Sequence, residues 1–220
     1  MLIRGHSGIF PGMNSGFKNT LVFLMLLSVV GLSGCASSPP PARAQENICD
    51  IIAHEPAWYR AAQKSEARWG TPISTQIAFV RQESSFRHNA RPPRPTLFGI
   101  IPMPRQSSAY GYAQAQDGTW DDYRRATGNR LARRTNIDDA LDFIGWYNEM
   151  SRQRNGVALN DTYNLYLNYH EGHTGFRNRS YNSKPWLLNV ARGVESRART
   201  YEAQLPNCRL PSRWCVWPLC

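Results

Sequence analysis

The chain is 220 residues long and carries 26 Lys and Arg against 16 Asp and Glu, a formal net charge of +10. That length is enough for one well-cored domain, and its apolar run from Leu21 to Leu32, twelve residues, is too short to cross a bilayer as a helix. A basic surface narrows the partners to nucleic acid, an anionic membrane or an acidic polymer.

Residues 1–34 contain Arg4 and Lys18 and no acidic residue. The run from Leu21 to Leu32 fits the apolar region of an export signal. It ends in Leu32-Ser33-Gly34-Cys35, which resembles a bacterial lipobox. That resemblance implies a lipoprotein in which Cys35 is acylated and becomes the mature N-terminus. Several acyl chains give a stable anchor, since each buried CH₂ contributes about 0.8 kcal/mol. Ala36 stands where an Asp would imply retention at the inner membrane, so the expected location is the outer membrane, facing the periplasm. Export removes nucleic acid as the usual target. Residues 35–220 keep a net +8, and peptidoglycan, whose peptide stems carry carboxylates, becomes the natural acidic partner.

A short Pro/Ser tether follows, residues 35–48, and folded sequence begins near Cys49. Residues 55–69 read as a helix, with Trp58, Ala61, Ala62 and Trp69 near helical spacing and Gly70 closing it. Thr71-Pro72 opens a second helix, Thr as cap and Pro at the first helical position, with Ile73, Ile77 and Val80 as its buried stripe beside Phe79. This helix reaches its last turn at Gln82-Glu83-Ser84. Residues 87–108, with five prolines and the apolar run Leu97 to Ile101, form a long loop with a β-ribbon at its tip.

Thr119 is placed to cap a helix over 120–127, ended by Gly128. Asn136 caps the next, about 137–153, buried through Leu141, Ile144 and Tyr147, and Asp161 starts one running to about Tyr169. The last long helix follows Pro185 to about Gln204, buried through Leu188, Val190, Val194 and Tyr201. Strand signals are few. The domain plan is a leader at 1–34, the tether at 35–48, a catalytic-type domain at 49–206, and a tail at 207–220 rich in Cys and Trp.

With Cys35 given to lipid, Cys49, Cys208, Cys215 and Cys220 remain for two disulfides in an oxidising compartment, and three connectivities are open. A bond from Cys49 to the C-terminal trio would tie the ends of the domain together. The spacings do not resemble a zinc knuckle. In His170-Glu171-Gly172-His173 the histidines are three apart with Gly between, where a zincin helix sets them four apart. No metal and no cofactor is expected.

Glu83 stands at the C-terminal end of an apolar helix. Burial and the negative end of the helix dipole both disfavour its charged form there. A carboxyl kept protonated near neutral pH is what proton donation to a leaving sugar oxygen requires. Downstream come Ala109-Tyr110-Gly111-Tyr112-Ala113-Gln114, Gly118-Thr119-Trp120 and Leu167-Asn168-Tyr169-His170-Glu171-Gly172. The ordered set, a helix-ending Glu-Ser-x-Phe, a Gly-Tyr-x-Gln followed by Gly-Thr-Trp, and an Asn-Tyr-x-x-Gly turn, resembles the soluble lytic transglycosylase family, of goose-lysozyme-like fold.

The resemblance covers about residues 70–205. It implies a mainly α, lysozyme-like α+β fold, a single helical domain with the Pro-rich loop or small β-ribbon near the cleft. Glu83 matches the catalytic acid/base and Ser84 the serine after it. Gln114 matches a glutamine lining the sugar cleft, flanked by Tyr112 and Thr119, and Tyr169 the tyrosine near the catalytic carboxyl. The implied reaction cleaves peptidoglycan strands between N-acetylmuramic acid and N-acetylglucosamine with closure of a 1,6-anhydro ring. Two departures stand out, the insertion at 91–108 and His170-Glu171 in place of Asn-Ala. A muramidase on the same fold is the nearest alternative, with Glu171 or Asp117 as second carboxylate. Another is a non-catalytic peptidoglycan-binding lipoprotein, and a protein partner in an envelope complex is a further candidate.

Overall fold

The computed structural model describes residues 38–98 and 100–209. The leader, Cys35, Cys215 and Cys220 lie outside them.

Helix α1, Ile48–His54, begins where the Asn47 side chain accepts the Cys49 N–H at 2.8 Å. It precedes the first helix expected from periodicity. Helix α2, Pro56–Trp69, starts with Pro at its first position, the Glu55 side chain accepting from Ala57 N. It ends at Gly70 in the left-handed region. Helix α3 is Ile73–Ser84.

The cap expected from Thr71 is corrected. The orphan N–H of Ile73 is taken by the Glu66 carboxylate, 3.1 Å away on α2, and Pro72 holds the cap position without a side-chain bond. The narrow stripe expected on α3 is also too small, since every residue from Ile73 to Val80 is buried. The cause is position: α2, α5 and α7 all pack against α3 (the latter two over Ile137–Asn155 and Pro185–Gln204). Two of its polar side chains find partners inside. Thr75 pairs with Thr162 at 2.8 Å, and the Gln76 amide donates to the Thr71 carbonyl at 2.7 Å.

A short antiparallel ribbon follows, β1 Thr96–Leu97 and β2 Ile101–Pro102, in register Leu97 to Ile101 and Thr96 to Pro102. Helix α4, Asp117–Thr127, starts before Thr119, with Gln116 as the cap residue. The Asp117 N–H instead reaches the Ser108 hydroxyl at 3.0 Å. Helix α5 opens on Asn136, which accepts from Asp139 N.

Helix α6, Thr162–Arg177, runs eight residues past its expected end, broken at Gly172 with φ 73° and ψ 160°. Helix α7 buries Leu187, Ala191, Val194, Ala198 and Tyr201, while Leu188 and Val190 are only partly covered. That spacing of four, three, four and three is the helical repeat with alanines counted as core.

Helix α2 lies along α5, and α6 packs between α5 and α7. The α2–α5 approach is close: a Cβ on Gly145 would stand 2.4 Å from the Ser65 hydroxyl, which donates to the Leu141 carbonyl. Asp142 ties three helices, accepting from Trp69 and Tyr123 at 2.7 and 2.8 Å and pairing with Arg68. Cys49 and Cys208 are disulfide-bonded across 159 residues. The same seam holds Ile48 N to Gln204 at 2.9 Å, the Tyr201 hydroxyl on the Gln45 carbonyl, and Glu46 between Arg81 and Arg197. Among the described residues every buried apolar core residue lies between Ile48 and Tyr201, within the compact unit formed by residues 37–220.

Candidate active site

Glu83 is the penultimate residue of α3, and the chain turns sharply after it. Ser85 and Phe86 both take left-handed φ, 49° and 63°, a conformation that costs an L-residue about 1–2 kcal/mol. Phe86 offsets that cost by burial: it is fully covered and stacks on Trp58, centroids 5.0 Å apart at 7°. The turn thus locks the end of α3, and with it the Glu83 backbone.

The Glu83 carboxyl sits among aromatic rings. The Tyr166 hydroxyl hydrogen-bonds to it, and its charge acts on Tyr169. Burial raises the Glu83 pKa to about 7, and the hydrogen bond from Tyr166 opposes the rise. The residue keeps partial exposure, the access an acid needs to meet a substrate. Burial also pushes the Tyr166 and Tyr169 hydroxyls well above their ordinary values, with the Glu83 charge adding to it. Both phenols therefore stay neutral donors.

Tyr166 was not singled out from the sequence. It lies three residues before Tyr169, on the same face of α6, and that spacing is the signal that would have found it. Tyr169 uses its hydroxyl differently, donating to the Ala113 carbonyl at 2.5 Å. It thereby ties α6 to the 110–115 turn, while its ring packs on Phe79, Phe143 and Tyr147.

Gln114, itself at φ 48°, donates its side-chain amide to the Ala90 and Gly111 carbonyls, both at 2.9 Å. Gly111, at φ 78°, leaves no room for a side chain: a Cβ would come within 2.0 Å of the Arg134 carbonyl oxygen. The turn is built by these two residues.

Two expected cleft residues face inward instead. Ser84 is 1% exposed and donates to the Val80 carbonyl at 3.0 Å, a bond within its own helix. Tyr112 is 2% exposed with its ring edge on Trp58. Each is turned by its place in the helix or turn register toward the core rather than the cleft.

Thr119 does reach a cleft. It lines a hollow of about 750 Å³ together with Trp146, Tyr147, Met150, Arg154 and His173. Glu83 stands outside that lining. Tyr147, whose ring centroid is 5.1 Å from that of Tyr169, connects the two regions. On its other side Tyr147 stacks on His173 at 4.4 Å. Burial first, then the Arg154 charge, lowers the His173 pKa, so the ring is neutral against Tyr147.

The two carboxylates of the hydrolytic alternative are both engaged. Glu171 is 3% exposed at its side chain and receives Lys184 at 2.8 and 3.0 Å, with Ser180 and His170 beside it. Burial alone would raise its pKa, but hydrogen bonds from Lys184, Ser180 and His170 hold it below the usual value. Asp117 pairs with Arg134 at 2.7 Å.

A family model described as Transglycosylase SLT domain matches residues 23–208. No curated protein and no solved structure matches the chain.

Proposed function

Because the chain belongs to the transglycosylase SLT-domain family, whose activity is lytic-transglycosylase-type processing of peptidoglycan, we propose that it cleaves the bond between N-acetylmuramic acid and N-acetylglucosamine with Glu83 as its single acid/base. The observation that carries this reading is a carboxyl with pKa about 7, buried among aromatics and held by one phenol, Tyr166. At neutral pH such a group is present in both forms, and the reaction uses both in turn.

Protonated Glu83 gives its proton to the glycosidic oxygen as the bond from that oxygen to C1 breaks. The substrate's acetamido oxygen stabilises the cationic C1. The Glu83 carboxylate then takes the proton of the C6 hydroxyl as its oxygen bonds to C1, closing the 1,6-anhydro ring. The acid ends the cycle protonated and no water is consumed. Tyr166, donating to the carboxylate, steadies the ionised form between the two steps. The ion-paired states of Glu171 and Asp117 favour this route over a two-carboxylate hydrolysis.

Trp146 and Tyr147 line the cleft with only the edges their neighbours leave uncovered, and Arg154 and Arg125 on its wall, the latter paired with Asp122, suit the carboxylates of peptide stems. The Leu32-to-Cys35 motif supports acylation at Cys35 and an outer-membrane, periplasm-facing location, which labelled-palmitate incorporation lost in Cys35→Ser would test.

The reaction is tested by mass spectrometry of purified peptidoglycan digested with residues 37–220, beside Glu83→Gln. Anhydro-muropeptides, lighter by one water than hydrolysis products and absent from the variant, are expected. Reducing-end products, or full cleavage by Glu83→Gln, would overturn the assignment.

A further inference from the structure

Among the described residues seven large apolar side chains are exposed, and five of them fall in one stretch: Leu97, Phe98, Ile100, Ile101 and Met103. Phe98 and Ile100, at the tip of the ribbon, are 86% and 81% exposed. They contribute nothing to the core. Single exposed apolar residues need no explanation, but a contiguous apolar projection marks a contact surface. Phe98 also takes a left-handed φ of 53°, so the turn presents an aromatic side chain at a position where a non-glycine residue is disfavoured.

The ribbon's base is tied by hydrogen bonds. Met103 N bonds to the Pro95 carbonyl at 2.8 Å, and Arg105 Nε to the Pro92 carbonyl at 3.1 Å. It is also strongly basic. A basin of about 510 Å³ opens there, lined by Arg91, Arg94, Arg105 and Arg134 around Tyr110. Asp117 is the acidic residue of this lining, and it is ion-paired with Arg134. From Ser84 to Gln116 the chain has no Asp or Glu at all.

An apolar tip above a ring of arginines is complementary to an amphiphile with an anionic head and an apolar body. Arg94 and Phe98 are four residue steps apart, at most roughly 13 Å at about 3.3 Å each. With the arginines at phosphate level, a reach of that order carries the tip past the headgroups to the acyl boundary, where interfacial segments bury their apolar side chains. A peptide-stem carboxylate would occupy the arginines and leave the tip unexplained. A purely apolar protein surface would cover the tip and leave the arginines without counter-charge.

We propose that the 91–105 ribbon is a membrane-docking element, which inserts Leu97, Phe98, Ile100 and Ile101 into an anionic phospholipid surface while Arg91, Arg94 and Arg105 hold the lipid phosphates. The docking is independent of any acyl anchor and of the chemistry at Glu83. It sets the cleft-bearing domain at a fixed orientation to the bilayer.

The test uses residues 37–220, which lack the acyl chain, and sedimentation with vesicles of phosphatidylglycerol and phosphatidylethanolamine or of phosphatidylcholine alone. The wild-type domain partitions onto the anionic vesicles, and Phe98→Ser/Ile100→Ser lowers that partitioning at least about tenfold, since each side chain contributes more than 1 kcal/mol when buried. Arg94→Gln/Arg105→Gln weakens binding and flattens its salt dependence. A Phe98→Trp indole shifts its emission to the blue on anionic vesicles and is quenched by brominated lipid. Because Phe98 and Ile100 contribute nothing to the core, thermal unfolding of the two tip variants matches wild type. Equal partitioning of wild type and the tip variant, or no emission change with Phe98→Trp, overturns the proposal. So does a wild-type domain that ignores both vesicle types, a result that would assign the tip to a protein partner.

Discussion

The Tyr166 hydroxyl hydrogen-bonds to the Glu83 carboxyl from the adjacent helix, and this pair sets where that carboxyl titrates. Burial raises the Glu83 pKa and the phenol draws it part of the way back, to about 7. Removing the phenol therefore has a definite sign. In Tyr166→Phe the carboxylate loses a donor, so the pH above which cleavage falls moves upward, by up to about one unit. The rate on the acid side falls several-fold, because the carboxyl is no longer oriented. Initial rates of anhydro-muropeptide release across pH would check both effects, and an unshifted or downward-shifted limb would contradict the pairing.

The same raised pKa makes Glu83 a stability cost that depends on pH. In the unfolded chain the carboxyl titrates near 4.5, and in the folded one near 7. The folded state thus holds the proton more tightly, and the associated stability is full below 4.5 and lost as pH rises through 7. Glu83→Gln, which carries no charge at any pH, should match wild type near pH 4 and be more stable by about 1–3 kcal/mol at pH 8. Thermal melts at the two pH values measure the difference. Equal melting temperatures at both would mean that the carboxyl is solvated like a surface acid.

Much of this arrangement was legible in the chain, for reasons that differ from residue to residue. Gly70 and Asn136 act through their own backbone or side chain, so α2 ends and α5 begins where local chemistry says they should. Thr71 looked like a cap because the rule is local too, but Glu66, seven residues before Ile73, reaches the same N–H first. Helix α1 was missed because Asn47 is a weak signal beside three isoleucines spread over five residues, Ile48, Ile51 and Ile52. Glu83 was singled out through the order of its motifs. Ser84 and Tyr112 lie next to candidate positions in sequence yet face the core, while Tyr166 was passed over and meets the Glu83 carboxyl. Adjacency along a helix rotates a side chain by about 100°, so a motif locates a helix face only to within a residue.

Glu171 provides a separate check on the chemistry. Its ion pair with Lys184 keeps its pKa low, so the stability it contributes is present above the unfolded value and disappears as pH falls through the folded one. Glu171→Gln should destabilise the domain at pH 7 by about 1–3 kcal/mol, leaving Lys184 without its carboxylate. The difference from wild type should close in acid. The products should remain anhydro-muropeptides. A shift from reducing-end to anhydro products on this substitution would instead mean that Glu171 activates water.

Gly111 tests the turn that Tyr169 and Gln114 hold in place. A methyl group there would meet the Arg134 carbonyl oxygen at 2.0 Å, and the backbone is at φ 78°. Neither conflict is relieved by a rotamer change, since the obstacle is backbone. Gly111→Ala should cost at least about 2 kcal/mol and lower activity through a displaced Ala113 carbonyl. Gly156→Ala is the control, since it has a similar φ of 69° and open space around it. It should lose only the conformational part, about 1 kcal/mol. Equal losses in the two variants, read from urea midpoints, would remove the steric argument.

The Cys49–Cys208 bond closes a loop of 159 residues around nearly the whole described core. Cross-linking so long a loop restricts the unfolded chain strongly, and loss of a native disulfide costs about 2–5 kcal/mol. The seam it spans has other ties, since Glu46 lies between Arg81 and Arg197, and Ile48 N meets Gln204. The ends should therefore stay docked without the bond. Cys49→Ala/Cys208→Ala is expected to fold, to cleave peptidoglycan at low temperature, and to unfold at a clearly lower urea midpoint than wild type. Using the double variant rather than a reductant isolates this bond from Cys215 and Cys220. A midpoint unchanged within error would show that the side-chain ties alone hold the termini, and that the disulfide adds nothing to equilibrium stability.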